Sequence, residues 1–337
     1  MSGQRYTRQT LLMRAAYALG LQVHDRMPET GSDLVTYSDG STHVTVLEGR
    51  YDDRLRARDF FLTEDKRATK ALLDSAGFTT PRGGAFMFAS TDPDPPNQAA
   101  DADRAWRFAT ETMAALHGRP VVVKPRAGMH GEAVRTDVRT PEAAVAHLLD
   151  WRHAYADWLI EEQVDGPDLR IQLIGEELVA ACTRRPAFVT GDAQHALGEL
   201  IERRRAQVEG HNPNNSLRVD AETESLLAAQ GLTLGEVPAA GRTVWLKQTA
   251  NMTKGGVAID VTGSLHPGFH EWAAGAAKLF DAEIIALDAV CAAPHEPPEE
   301  SVTILEVNAA PEWTHHTFSE HRTHDIATRV LRFWFGL

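Results

Sequence analysis

The chain has only two cysteines in 337 residues, Cys182 and Cys291. Two thiols so far apart cannot staple a chain of this length, and neither sits in a metal-ligand spacing. A disulfide-built scaffold is excluded, and the cytoplasm is the expected compartment. Long apolar runs are missing too. No window approaches the roughly 20 apolar residues needed to span a bilayer, so no membrane partner is expected. The opening stretch, Met1 to Gly20, breaks its apolar residues with Arg5, Arg8 and Arg14 and does not read as a signal peptide. Positive charge is scarce: the net charge is −13, and Arg203, Arg204 and Arg205 form the only basic triplet. A sequence-independent grip on nucleic acid needs a basic stripe, so nucleic acid is not an expected partner. The triplet reads as a solvated helix face. The Walker spacing G-x-x-x-x-G-K-[ST] is also absent.

What is present suits a multi-lobed enzyme. A 43% hydrophobic content can bury one large core or two to three smaller ones. Leu11, Leu12, Ala15, Ala16 and Leu19 recur at helical spacing before Gly20, and Val44, Val46 and Leu47 suggest a strand. From Thr63 a helix is expected with Ala68, Ala71, Leu72 and Ala76 on one face, ended by Gly77. Thr91 to Asp103 reads as a surface loop or linker, followed by a helix from Ala105 to Leu116. Strands are expected at 120–125 and 158–163, a hairpin at 169–174 and 178–183, and strands at 284–290 and 302–307. Helical spacing returns at 198–205 and 272–280. Interleaved strands and helices give an α/β (α+β) class.

Three patterns carry chemistry. Asp65-Lys66, with Thr69 and Lys70 one turn on, stands at a helix start; alone, such lysines read as surface charge. Val121-Val-Val-Lys124 delivers a lysine from a strand into a loop with Gly128, His130 and Gly131. Glycine lets backbone N–H groups approach an anion and lysine adds a point charge, although a plain strand-turn reads equally well. Glu306 and Asn308 lie two apart on one strand, so they share a face, and Asp288 lies on the preceding strand. Two carboxylates and an amide oxygen converging in an apolar setting call for a cation, and an all-oxygen set selects magnesium or manganese. A solvent-facing strand edge is the alternative.

With these pieces in this order, the chain resembles the ATP-grasp superfamily, and within it the ligase portion of cyanophycin synthetase. The ATP-grasp domain of bifunctional glutathione synthetases is also similar. The likeness covers about residues 60–316. Beyond the patterns above it runs through Ile160-Glu161-Glu162-Gln-Val164-Asp-Gly-Pro-Asp168-Leu-Arg170, Asn251-Met-Thr-Lys-Gly255-Gly256 and Asn308-Ala-Ala-Pro311. The resemblance implies two α+β lobes gripping ATP: a small region at 1–60, then an ATP-grasp domain at 61–337 with a mobile lid near 82–160 and a metal-binding core near 161–337.

It also implies roles. Lys66 and Lys124 would hold phosphates, with Gly128, His130 and Gly131 in the covering loop. Glu161, Glu162 and Val164 would form the adenine hinge, and Asp168 would take the ribose. Asp288, Glu306 and Asn308 would hold two Mg²⁺ ions. Lys247 and Asn251 would face the γ-phosphate and the reacting carboxylate, and Arg170 would help neutralise the acyl phosphate or the tetrahedral intermediate. The implied reaction is ATP-dependent joining of a carboxylate, an amino acid by resemblance, to an amine. The product would be a dipeptide or amide, with ADP and phosphate released, and assembly would be as a homodimer or homotetramer. A small-molecule kinase and a non-catalytic ATP-binding regulatory module are the competing readings.

Three departures stand out. Glu132 and Ala133 replace a basic residue and a glycine, Glu312 replaces a glycine, and Lys254 stands where threonine is common. The Mur-ligase-like second ligase of cyanophycin synthetase is not part of the sequence, so a single coupling is expected. His315, His316, His321 and His324 cluster near the end; they read as a solvated helix or loop, with zinc as the alternative and His315 or His316 near the substrate.

Overall fold

The computed structural model describes residues 6–89, 95–128 and 131–337, with 95–98 as backbone alone. The leading segment runs α1 (Arg8–Ala18), β1 (Gln22–Asp25), α2 (Met27–Thr30), β2 (Leu34–Ser38), β3 (His43–Leu47) and β4 (Tyr51–Asp52), then α3 (Ala57–Glu64) and α4 (Lys66–Ser75). Its four strands form an antiparallel meander. The next segment holds β5 (Gly83–Met87), α5 (Pro95–Ala115), β6 (Val121–Pro125), β7 (Arg135–Val138), α6 (Pro141–Asp150) and β8 (Asp157–Glu162). These strands make a second sheet in the order β5-β8-β6-β7.

The remainder opens with β9 (Asp168–Ile174), β10 (Glu177–Arg185) and β11 (Phe188–Thr190). Then come α7 (Leu197–His211), α8 (Ala221–Ala229), β12 (Thr243–Trp245), β13 (Val257–Asp260) and α9 (Gly268–Ala277). It closes with β14 (Ile284–Cys291), α10 (Pro298–Ser301), β15 (Val302–Asn308), α11 (Thr314–Thr317) and α12 (Ile326–Phe335). The central sheet is antiparallel, in the order β13-β10-β9-β14-β15. Among the described residues no helix is long and apolar enough to cross a membrane.

Alternation along the central strands explains the layers. Leu169, Ile171 and Leu173 of β9, with Ile285, Leu287 and Ala289 of β14, point to one face. There they pack on Phe269, Trp272, Ala273 and Ala276 of α9. The other face carries Asp168, Arg170 and Gln172 and is polar at that end. Toward the far end of the same strands, Ile174, Ala180 and Ile284 join α1, α12 and Trp313 in a second core. One sheet face therefore changes from apolar to charged along its length, and the charged end holds the candidate site.

A bulge sets the site's edge. Asp288 pairs with Glu306 while its neighbour Ala289 pairs with Ile304, so Leu305 is the extra residue. Strict alternation from the buried Ile304 would have sent Glu306 into the core. The bulge turns Glu306 and Asn308 onto the polar face and returns Val307 to the core.

Two sequence expectations are corrected. The stretch read as a linker at 91–103 is helical from Pro95 onward. Proline is tolerated in a first turn, where its missing N–H has no helical partner; residues 90–94 lie outside the described residues. The inward face of α4 is not the alanine face. Lys66, Thr69, Lys70 and Leu73 are buried, whereas Ala71 and Ala76 are exposed. Apolar spacing failed here because the helix lays a polar stripe against a charged cleft.

Candidate active site

A cleft of about 450 Å³ lies between the second sheet and β15. Its walls include Lys66, Lys124, Gly128, Gly131, Glu161, Glu162, Val164 and Glu306. Asp65 caps α4 by accepting the N–H groups of Arg67 and Ala68, both at 3.1 Å, and pairs with Arg126 through Nε at 2.8 Å. That capped turn aims Lys66 inward. Its Nζ donates to the Gly128 carbonyl at 2.9 Å and lies 3.9 Å from Glu306 Oε1. Gly131 has φ +72°, in the left-handed region that glycine enters freely.

Glu161 is the most constrained group in the cleft. It is 4% exposed; Lys124 Nζ lies 2.7 Å from one carboxylate oxygen, and Lys70 Nζ donates to the other. Burial pushes its carboxyl up, but the Lys124 and Lys70 charges outweigh burial and hold it below the usual range. Across the cleft, burial raises the Glu306 carboxyl; Lys66 offsets part of that and Asp288 adds to it.

A second charged group sits behind Glu306. Arg170, Asp288 and Glu306 occupy one register row across β9, β14 and β15. Arg170 reaches Asp288 Oδ2 at 2.8 Å, Arg184 reaches Oδ1 at 2.8 Å, and Asn308 Nδ2 donates to Oδ2 at 2.8 Å. Burial opposes ionisation of Asp288, but the two guanidinium groups prevail and hold its carboxyl down.

No family model matches the chain. It is 31% identical over 257 residues to a cyanophycin synthetase from Trichormus variabilis, covering 75% of this chain and 27% of that protein. It is 26% identical over 338 residues to the glutathione biosynthesis bifunctional protein GshAB of Listeria welshimeri, covering 96% of this chain and 40% of that one. A crystal structure of a bifunctional glutathione synthetase from Pasteurella multocida matches with a TM-score of 0.70 at 21% identity, over 98% of this chain and 43% of that one. The chain has the ATP-grasp fold, and it is a homologue of the ATP-grasp ligases. It spans less than half the length of the curated relatives it matches.

The ATP-grasp chain brings together only part of the predicted site. Lys66, Lys124, Gly128, Gly131, Glu161, Glu162, Val164 and Glu306 share the cleft. The hinge differs in detail: the N–H groups of Glu162 and Gln163 already donate to the Arg82 and Pro120 carbonyls, so Val164, just past β8, is the predicted hinge residue outside the sheet. Asp168 is not on the cleft wall; it takes a two-pronged contact from Arg184, at 2.8 and 2.7 Å. Lys247, two residues past β12, is buried against the start of α8, 2.5 Å from Asp220 and 3.0 Å from Thr223 Oγ1. Asn251 Oδ1 accepts the Thr253 N–H and hydroxyl, both at 2.8 Å. Lys247 and Asn251 are absent from the cleft wall. His130 lies outside the described residues.

The histidine cluster is not a solvated loop. His316 is fully buried, His324 pairs with Asp260 at 2.7 Å, and only His321 is exposed. Burial, with Arg170 and Arg184 adding to it, draws His315 down to about 4. Among the described residues no three His, Cys, Asp or Glu side chains gather as a metal group.

Sequence reading named Lys70 without giving it a role in the site, and missed Arg184. Lys70 falls one turn beyond Lys66 on the inward face. Arg184 follows from hairpin parity: Cys182 pairs with Arg170, so Arg184 must fall beside Asp168 and Asp288.

The oxygen donors fit a hard divalent cation in part. Glu306 is half-buried, its carboxyl raised by burial, and among the described residues its nearest cation is Lys66 at 3.9 Å. Asn308 has its amide oxygen left over after its NH₂ goes to Asp288. Asp288 is already neutralised by two arginines and would have to share its oxygens.

Proposed function

We propose that the chain is an ATP-dependent ligase that joins a carboxylate, an amino acid by the homology, to an amine through an acyl phosphate. One observation carries this reading: Lys66 and Lys124 project into the same nucleotide-sized cleft as Glu306, with the hinge strand β8 along its wall. Lys66 and Lys124 bind phosphate oxygens as point charges. Glu306 and Asn308, joined by Asp288, hold Mg²⁺, two ions in the full reading, with Mn²⁺ as a substitute. The bound metal would supply charge neutralisation on the transferring phosphoryl group. A carboxylate oxygen attacks the γ-phosphorus and ADP leaves. The amine nitrogen then attacks the acyl carbon, phosphate leaves, and the nitrogen gives up its extra proton. Arg170 is 5% exposed, paired with Asp288 and not on the cleft wall; its unpartnered Nε is the donor this reading would assign to an acyl phosphate oxygen. Gly128, Gly131 and Thr136 of β7 line the cleft, on the side where exclusion of water would protect the acyl phosphate. The cytoplasm and a homodimer or homotetramer complete the reading.

A second reading has its own observation. Asp288 is closed off by Arg170 and Arg184, which suits a nucleotide-binding module that regulates a partner. Incubating the protein with ATP, Mg²⁺ and pairs of amino acids separates the two. ADP that forms only when carboxylate and amine are both present, with a product mass equal to condensation, supports the ligase. Tight ATP binding with no ADP under any pair overturns it.

A further inference from the structure

Three ionisable groups from three elements meet at one side of the cleft: Lys124 of β6 and Glu161 of β8 line it, and Lys70 of α4, which is not on the lining, holds Glu161. All three are buried or nearly so. Lys124 cannot serve a phosphate while it neutralises Glu161, 2.7 Å away. Were Lys124 to leave with no second partner in place, Glu161 would become a buried, unpaired carboxylate, and that cost would be set against nucleotide binding.

We propose that Lys70 is a positioning residue that keeps Glu161 paired, so that Lys124 can swap from the carboxylate to the incoming phosphates. This rests on the nucleotide reading of the cleft and adds a residue that touches no substrate. The geometry supports the exchange. Lys70 holds one carboxylate oxygen and Lys124 the other, so departure of Lys124 leaves the second contact whole. Lys70 is 7% exposed and lies on the buried stripe of α4 with Thr69, whose hydroxyl donates to the Leu62 carbonyl at 2.7 Å. Lys70 itself is not among the residues that line the cleft.

The charged groups that bear on Lys70 are Lys124 on β6, Glu161 on β8 and Asp74 one turn along its own helix. Burial, then the Lys124 charge, draws the Lys70 ammonium down to about 8. Lys70 therefore carries its charge below that pH and loses it above. Moving Lys124 away favours the charged form at the moment when Glu161 needs it.

Calorimetric titration of ATP with Mg²⁺ into the whole chain tests this. In wild type, affinity is expected to fall above pH about 8, and Lys70→Arg should abolish that fall. At pH 7, Lys70→Met should weaken binding on the order of 10- to 100-fold, the worth of one charge-assisted hydrogen bond. The same substitution in a Glu161→Gln background should cost less than about threefold, because no carboxylate is left to keep paired. Wild-type affinity for Lys70→Met, or an equal loss in both backgrounds, overturns the proposal. If Lys70→Met does not fold, a wild-type affinity that is flat from pH 7 to 9 overturns it equally. Failure of wild type to bind ATP at all removes the nucleotide reading first, and this inference with it.

Discussion

The proposed nucleotide side and the proposed acceptor side of this ATP-grasp chain are built differently. On the nucleotide side, Lys66, Lys124, Glu161 and Glu306 sit on a capped helix and three strands, and all face one cleft. On the acceptor side, Lys247 and Asn251 sit in the segment after β12, and each is tied to a near neighbour: Lys247 to Asp220, Asn251 to Thr253. Regular elements carry a side chain to a fixed direction through their period alone. Irregular segments place it only through tertiary contacts. The difference separates what short motifs can fix from what they cannot.

The largest effect that would sharpen this contrast is at Glu306. Glu306→Gln should lower ADP release on the order of 1,000-fold, with an unchanged circular dichroism spectrum and melting curve. Retained turnover removes the metal assignment and with it the nucleotide side. Next is Lys124→Met, expected to raise the KM for ATP by about 10- to 100-fold; a change confined to the amino-acid KM would invert the comparison. Core packing behind the site gives a third effect. Leu287→Ala, at a fully buried position against α9, should cost about 2–5 kcal/mol in denaturant unfolding.

Lys247→Met tests the acceptor side. If its pairing with Asp220 is its role, turnover should change less than about threefold while the melting temperature falls. The Lys247 hydrogen bond holds the Asp220 carboxyl down, to about 2. Its stabilising share is thus full above the ordinary aspartate range and is lost as pH falls through about 2. The difference in melting temperature between wild type and Lys247→Met should shrink on acidification. A hundredfold loss of turnover with unchanged melting would break the comparison. Smallest of all, Ala133→Gly should raise stability by up to about 1 kcal/mol. Ala133 is held at φ +54°, in the left-handed region, at a position where the resemblance led one to expect glycine.

Much of the fold was legible in the sequence because its strands alternate cleanly. The β9–β10 hairpin and the β14–β15 pair follow from Leu169/Ile171/Leu173 and Ile285/Leu287 alone. The direction of Glu306 was also read correctly, though through a pairwise spacing that hid the bulge at Leu305. What could not be read had physical causes. The buried stripe of α4 is polar, so apolar periodicity pointed to the wrong face. The helix at 95–103 is rich in Pro, Asp and Ala, a composition that resembles a linker. Asp168, Asp288 and Arg184 form a charge network whose partners come from separate strands, and no local spacing reports it. His316 is buried by α11 packing on β10 and β13, which its neighbours in sequence do not announce.

Isotope transfer reaches the proposed chemistry most directly. A carboxylate substrate labelled with heavy oxygen at both positions is incubated with ATP, Mg²⁺ and the amine, and the released phosphate is weighed by mass spectrometry. Acyl phosphate formation predicts one heavy oxygen in each phosphate released. Unlabelled phosphate, with both heavy atoms still on the carboxylate or its product, would contradict the account.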